Sequence, residues 1–256
     1  MIAPRTTRLV RAAGPRPFRA AVVHLTTAGT PFDARDRLVI VPTHAAARHL
    51  RRTIEDGRLA DGSACLWPDF VTPREIVATL GTRLDAGPLL SPAEREVLLG
   101  CACRDAAASG SPPPFRLRAA LIGEALRFYD ELHRHRRTLD DFERLILGAL
   151  EPGADYDRGA ERLVRQTRFL AAAFHLFADR VTAHGCDEHR LRAQLLSSPA
   201  PRPYRHVVVA APGRAFDRHG VTPADWDLLT RIAGLERLDI VVTDRTLAGA
   251  PHEWFH

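Results

Sequence analysis

The residues of this chain best placed for chemistry are threonines, histidines and arginines that follow short apolar runs. Val39-Ile40-Val41-Pro42 leads into Thr43 and His44, and Arg48, Arg51 and Arg52 come next. On a helix this spacing gathers guanidiniums toward one side, which suits tracking of phosphate oxygens. A solvated helix face explains the same pattern equally well. Thr72, after Asp69-Phe70-Val71, repeats the arrangement of an apolar run closed by a hydroxyl. For both threonines, capping of a following helix is the plainer reading. The densest basic run, His133-Arg134-His135-Arg136-Arg137, puts its histidines on different helix faces, so it is a poor metal pair and reads first as a solvated helix end. Cys186, His189 and His184 have ligand types at metal spacing but lack a fourth partner, and Cys101 and Cys103 read as core thiols. A small-molecule enzyme built on this chain would need His44, Asp217, His219 and Asp244 to converge in one pocket.

Composition narrows these options. All 36 lysine-or-arginine positions are arginine, and asparagine is absent as well. A Schiff-base lysine and a phosphate-loop lysine are therefore excluded. The formal charge of +5 and the isoelectric point near 9.5 permit a polyanionic partner without requiring one. The four cysteines form no CxxC pair, so neither a disulfide framework nor a zinc site is signalled. No segment is long and uncharged enough to span a bilayer, and Met1–Arg19 is basic without an apolar stretch. A cytoplasmic protein with no membrane partner is expected.

The elements that must position these residues are legible in outline. Residues 38–43, 206–211 and 238–243 are continuous apolar, β-branched runs of the kind buried on both faces of a parallel sheet. Between the last two, Thr222 and Pro223 start a helix carrying Trp226, Leu228, Leu229 and Ile232, which predicts a strand–helix–strand unit. From about Pro73 to Leu196 the pattern is helical, with helices expected over 73–84, 92–108, 116–136, 139–150, 158–185 and 188–196. Loops are expected at 109–114 and 197–203. The expected architecture is α/β, a parallel-sheet core in 1–72 and 204–256 divided by an all-helical insertion in 73–203.

In this order the segments resemble the motifs of UvrD-like, superfamily 1 helicases. Val39–Leu50 is similar to the motif after the second strand, and Asp69–Pro73 to the next, where a threonine touches single-stranded DNA. The helical segment falls where such helicases carry their 1B subdomain. Tyr204–Ala211 with Asp225–Ile232 aligns with the Walker B strand and its helix, and Ile240–Asp244 with the third motif. Within that superfamily the chain looks most like AddB-type and RecC-like proteins, which carry an inactivated helicase domain ahead of a PD-(D/E)XK nuclease. The resemblance implies a RecA-like core of the P-loop NTPase fold, single-stranded or duplex-end DNA as partner, and an active helicase–nuclease subunit beside it.

The departures from that family are chemical. The segment matching the phosphate loop holds Gly14, Pro15, Arg16 and Phe18, with two prolines that donate no N–H and no lysine. Ala210 and Ala211 stand where an Asp-Glu pair would hold Mg²⁺. ATP hydrolysis is not expected, and neither is a cofactor in this chain. Mg²⁺ would belong to a nuclease domain lying beyond His256, which makes the chain a truncated product in this reading. The expected role is a non-catalytic module that scaffolds double-strand-break repair and guides one DNA strand, with Thr43, His44, Arg48, Arg51, Arg52 and Thr72 as candidate contacts.

Overall fold

The computed structural model describes residues 5–60, 62, 66–84, 87–210 and 220–248. In chain order the elements are β1 (Thr6–Ala12), α1 (Pro15–Thr27), β2 (Arg37–Ile40), α2 (His44–Ala60), β3 (Asp69–Val71), α3 (Ile76–Gly81), α4 (Pro92–Ala108), α5 (Ala119–Arg134), α6 (Leu139–Leu150), α7 (Arg158–His184), α8 (Glu188–Ser197), β4 (His206–Val209), α9 (Pro223–Arg231), β5 (Arg237–Thr243) and α10 (Asp244–Ala248). They fall into two compact units, one within Met1–Ala86 and Leu191–His256, the other within Gly87–Arg190.

The first unit is α/β. Its five strands are all parallel, in the order β1-β5-β4-β2-β3. The central strands β2 and β4 are buried at every position, as their continuous apolar runs require when both faces are covered. The connections β1→β2 and β2→β3 run toward one edge, whereas β3→β4 and β4→β5 run back. Right-handed crossovers then put α1 and α2 on one face and α9 on the other. Alternate strand residues divide accordingly. Val39, Val41, Val208, Ala210 and Val241 form one core with Val22 and Leu25 of α1 and with Ala47, Leu50 and Ile54 of α2. Leu38, Ile40, Val207, Val209 and Leu238, of opposite parity, are equally buried. β1 was not evident from sequence, because Thr-Thr-Arg-Leu-Val-Arg-Ala has no buried run; it is an edge strand held by its ladder to β5.

At the amino-terminal end of this sheet, charge is paired and buried. Asp239, with no exposure, accepts from Nε of Arg8 at 2.7 Å, Nε of Arg237 at 2.7 Å and Nε2 of His206 at 2.8 Å. Nε of Arg37 donates to Nδ1 of His206 at 3.0 Å, and its two terminal nitrogens reach the Thr26 and Ala28 carbonyls at the end of α1. A guanidinium only donates, so Nδ1 is the acceptor and the imidazole is neutral with its proton on Nε2. Burial and then the facing Arg37 push His206 below its ordinary value, against the pull of Asp239. The Arg37 contacts also satisfy carbonyls that the helix end leaves open.

The second unit is helical. Ser91 caps α4 in a reciprocal capping box with Glu94, Thr138 caps α6, and Asp157 caps α7. Phe169, Phe174 and Phe177 of α7, all with 1% exposure or less, form its centre with Leu99 and Cys103 of α4 and Leu126 and Tyr129 of α5. Burial raises the Cys103 thiol to about 11, so it stays protonated and packs as a small apolar group. A second buried charge cluster lies here. Asp130 accepts two bonds from Arg95, at 2.6 and 3.1 Å, and lies 2.9 Å from His189 Nε2. Burial alone would raise the Asp130 carboxyl, but the hydrogen bonds from His189 and Arg95 outweigh it and hold it far below the usual carboxylate range.

Candidate nucleic-acid interface

The carboxyl ends of parallel strands are where open α/β sheets bind ligands. Four of the predicted residues gather there through one helix. Thr43 ends the β2 connection, its carbonyl accepting from Ala47 N and its Oγ1 from Ala46 N at 3.2 Å. Helix α2 starts at His44 and buries Ala47, Leu50 and Ile54 against the sheet. That burial fixes the helix rotation, so His44, Arg48, Arg51 and Arg52 share a single exposed flank.

This flank faces β3. The Arg51 guanidinium lies over the Phe70 ring, 5.2 Å from its centroid, and His44 Nε2 lies 3.4 Å from Glu75 Oε1. The first turns of α2 and the segment from β3 to Glu75 therefore form one surface. Among the described residues, no carboxylate lies within ion-pair distance of Arg48, Arg51 or Arg52, although Glu55 and Asp56 follow on the same helix. The arginines of this flank are thus confined to residues 48–52, while Arg58 in the last turn donates to the Thr27 carbonyl.

The two threonines differ in a way the sequence did not reveal. Thr43 Oγ1 accepts a cap bond, which leaves its O–H able to donate outward. Thr72 uses its O–H on Glu75 Oε2 at 2.8 Å, and its backbone N–H meets the same oxygen at 2.8 Å. Burial favours a protonated Glu75, but these two bonds and His44 together hold the carboxyl below its ordinary value. Thr72 is therefore a capping residue beside a carboxylate, a poor place for a phosphate.

The residues between β1 and α1 lie at the opposite edge of the sheet, whereas Ala210 follows the middle strand, β4. Only Ala13 and Gly14 separate β1 from α1, and Gly14 is extended, with φ −172° and ψ −174°. Pro15 and Pro17 lack N–H groups, and Phe18 N is bonded to the Gly14 carbonyl at 2.9 Å. Of the first four helical positions, only Arg16 keeps an N–H free of the helix ladder. Ala210 is buried at the end of β4, its N–H bonded to the Ile40 carbonyl at 2.8 Å. Ala211 lies outside the described residues.

Other predicted groups have structural partners. His44 faces Glu75, while Asp244, the first residue of α10, pairs with Arg11 of β1. Asp217 and His219 lie outside the described residues, as does Cys65. In the basic run, His133 stacks on His189 with ring centroids 4.5 Å apart, and Arg134 pairs with Glu188 at 3.2 Å. Arg136 adopts φ 57° and closes α5, with Arg137 N bonded to the Leu132 carbonyl at 2.9 Å. His189 is held by Asp130, His184 faces the Arg180 carbonyl, and the Cys186 thiol points at the Asp187 carbonyl. No helix among the described residues is long and apolar enough to cross a membrane. The chain matches no protein-family model and no curated protein sequence.

Proposed function

We propose that the chain is a non-catalytic, helicase-like module that guides single-stranded DNA along the carboxyl edge of its sheet. The observation that carries this reading is the guanidinium flank of α2, without a carboxylate partner among the described residues and set beside β3 at the end of the sheet where such folds bind ligands. Arg48, Arg51 and Arg52 contact phosphates without reading bases, and Thr43 adds an O–H donor at the strand end. His44 is engaged by Glu75 and contributes only when that pair opens.

The same reading assigns the core to the RecA-like, degenerate P-loop type and the chain to the amino-terminal part of an AddB-like helicase–nuclease. The strand order supports it. The strands similar to the phosphate-loop, third-motif and Walker B positions, β1, β5 and β4, are neighbours in that order, as one nucleotide crevice would require. A two-residue turn with prolines at two of the first three helical positions cannot cradle phosphates, and the missing lysine removes the charge that would neutralise them. The module therefore retains the form of a motor domain and binds DNA without ATP. Its place is beside an active helicase–nuclease subunit in cytoplasmic double-strand-break repair.

Fluorescence anisotropy with a labelled oligothymidine tests both halves. At low salt the DNA should bind with a dissociation constant on the order of micromolar, unchanged by ATP and Mg²⁺. An absence of binding at low salt would remove the DNA role, and tight Mg²⁺-dependent ATP binding would overturn the degenerate-loop reading.

A further inference from the structure

The helical unit carries an apolar groove that its own helices do not fill. It has a volume of about 340 Å³ and lies between α5 and α6, over α7. Its walls are Leu121 and Phe128 on α5, Phe142 and Ile146 on α6, and Leu163 and Leu170 on α7. Leu121, Phe128, Ile146 and Leu163 remain 37–48% exposed, although the Phe169 ring directly beneath them is sealed at 1%. Phe128 and Phe142 meet edge-on at 5.3 Å, linking α5 and α6 across the groove.

The spacing of the walls indicates the shape of the occupant. Lining residues recur at i, i+7 on α5 and α7 and at i, i+4 on α6, so apolar positions repeat every one or two helical turns. A helix presenting its own i, i+4 and i+7 side chains matches that repeat. The charge around the groove indicates its chemistry. Arg116 and Arg118 alternate with the lining residues Phe115 and Leu117, and Arg162 precedes Leu163. All three are exposed, and none has a carboxylate within ion-pair distance among the described residues. Nearby Arg127 and Arg168, by contrast, are paired with Glu124 and Glu151. Glu124 lines the groove but is paired with Arg127, Glu161 beside Arg162 is paired with Arg165, and Glu143, beside Phe142, only partly offsets this positive rim.

We infer that the groove is a docking site for an acidic amphipathic helix of a partner protein, with two turns of apolar side chains seated between α5 and α6 and flanking carboxylates on Arg116, Arg118 and Arg162. The groove belongs to the helical unit alone and does not depend on the DNA reading.

A labelled synthetic helix of about 18 residues, with leucines at i, i+4, i+7 and i+11 and glutamates elsewhere, is the probe. The full chain should bind it saturably, and a lysine-for-glutamate version should bind at least about tenfold more weakly. Leu163→Asp and Leu121→Asp, at exposed positions and checked for folding by circular dichroism, should each weaken binding about tenfold. Arg118→Glu should weaken the acidic helix and strengthen the basic one. Absence of saturable binding overturns the proposal. So does equal binding of a proline-broken peptide of the same composition, or indifference to both Asp substitutions. Self-association of the wild-type chain that Leu163→Asp abolishes would make a second copy the occupant, which also overturns it.

Discussion

The two ends of the parallel sheet treat arginine in opposite ways. At the amino-terminal end, Arg8, Arg37 and Arg237 converge on Asp239 and His206, with the carboxylate wholly buried. At the carboxyl end, Arg48, Arg51 and Arg52 stand exposed on α2, with Arg51 over the Phe70 ring. The difference separates structure from availability. A buried carboxylate such as Asp239 needs its donors, because desolvation is otherwise uncompensated. An exposed guanidinium without a carboxylate can take an outside anion at little conformational cost.

Several substitutions break or sharpen this contrast. The largest effect is expected at the paired end. Asp239→Ala leaves three cationic or donor groups facing a void and should cost about 3–5 kcal/mol in urea denaturation. Alanine at Arg48, Arg51 or Arg52 should each stay within about 0.5 kcal/mol in the same assay. If the two classes destabilise equally, the contrast fails. Next is Thr43→Val against Thr72→Val. Both remove a cap and should cost about 1 kcal/mol, but only Thr43→Val should weaken oligothymidine binding, because Thr72 has its O–H on Glu75. Equal loss of DNA affinity would contradict that assignment.

The pH dependence probes the paired end alone. His206 has its folded value depressed, so the unfolded chain binds the extra proton as pH falls below the ordinary histidine value of about 6.5. Stability is therefore full above about pH 6.5 and declines as pH falls toward the folded value. His206→Gln, whose amide accepts from Arg37 and donates to Asp239, should show a shallower decline of melting temperature between about pH 7 and 5.5. An unchanged decline would assign the titration to other histidines. A stabilising effect is expected in the helical unit. Arg136→Gly relieves the left-handed backbone at φ 57° and should stabilise by up to about 1 kcal/mol.

What the sequence disclosed follows from the range of the interactions. The strands β2, β4 and β5 and most helices were legible because burial writes continuous apolar runs and caps write local signatures such as Ser91-Pro92-Ala93-Glu94. Helix α7 begins and ends almost where its periodicity predicts. β1 and α1 were hidden, the first because an edge strand needs no buried run, the second because prolines occupy its first turn. Arg8 and Asp239 stand 231 residues apart, and no spacing rule connects them. The α2 flank was legible, since i, i+3 and i+4 spacing is local. Its placement against β3 was not, and neither was the division between Thr43 and Thr72. The run His133–Arg137 misled in part, because density of charge does not tell that His133 turns inward onto His189.

The salt dependence of oligothymidine binding to wild type and to the Arg48→Ala/Arg51→Ala/Arg52→Ala variant tests the central claim most directly. Three lost phosphate contacts should lower the slope of log affinity against log salt by about 2, with affinity reduced most at low salt. The same slope and affinity in both proteins would contradict the assignment of the DNA path to the α2 flank.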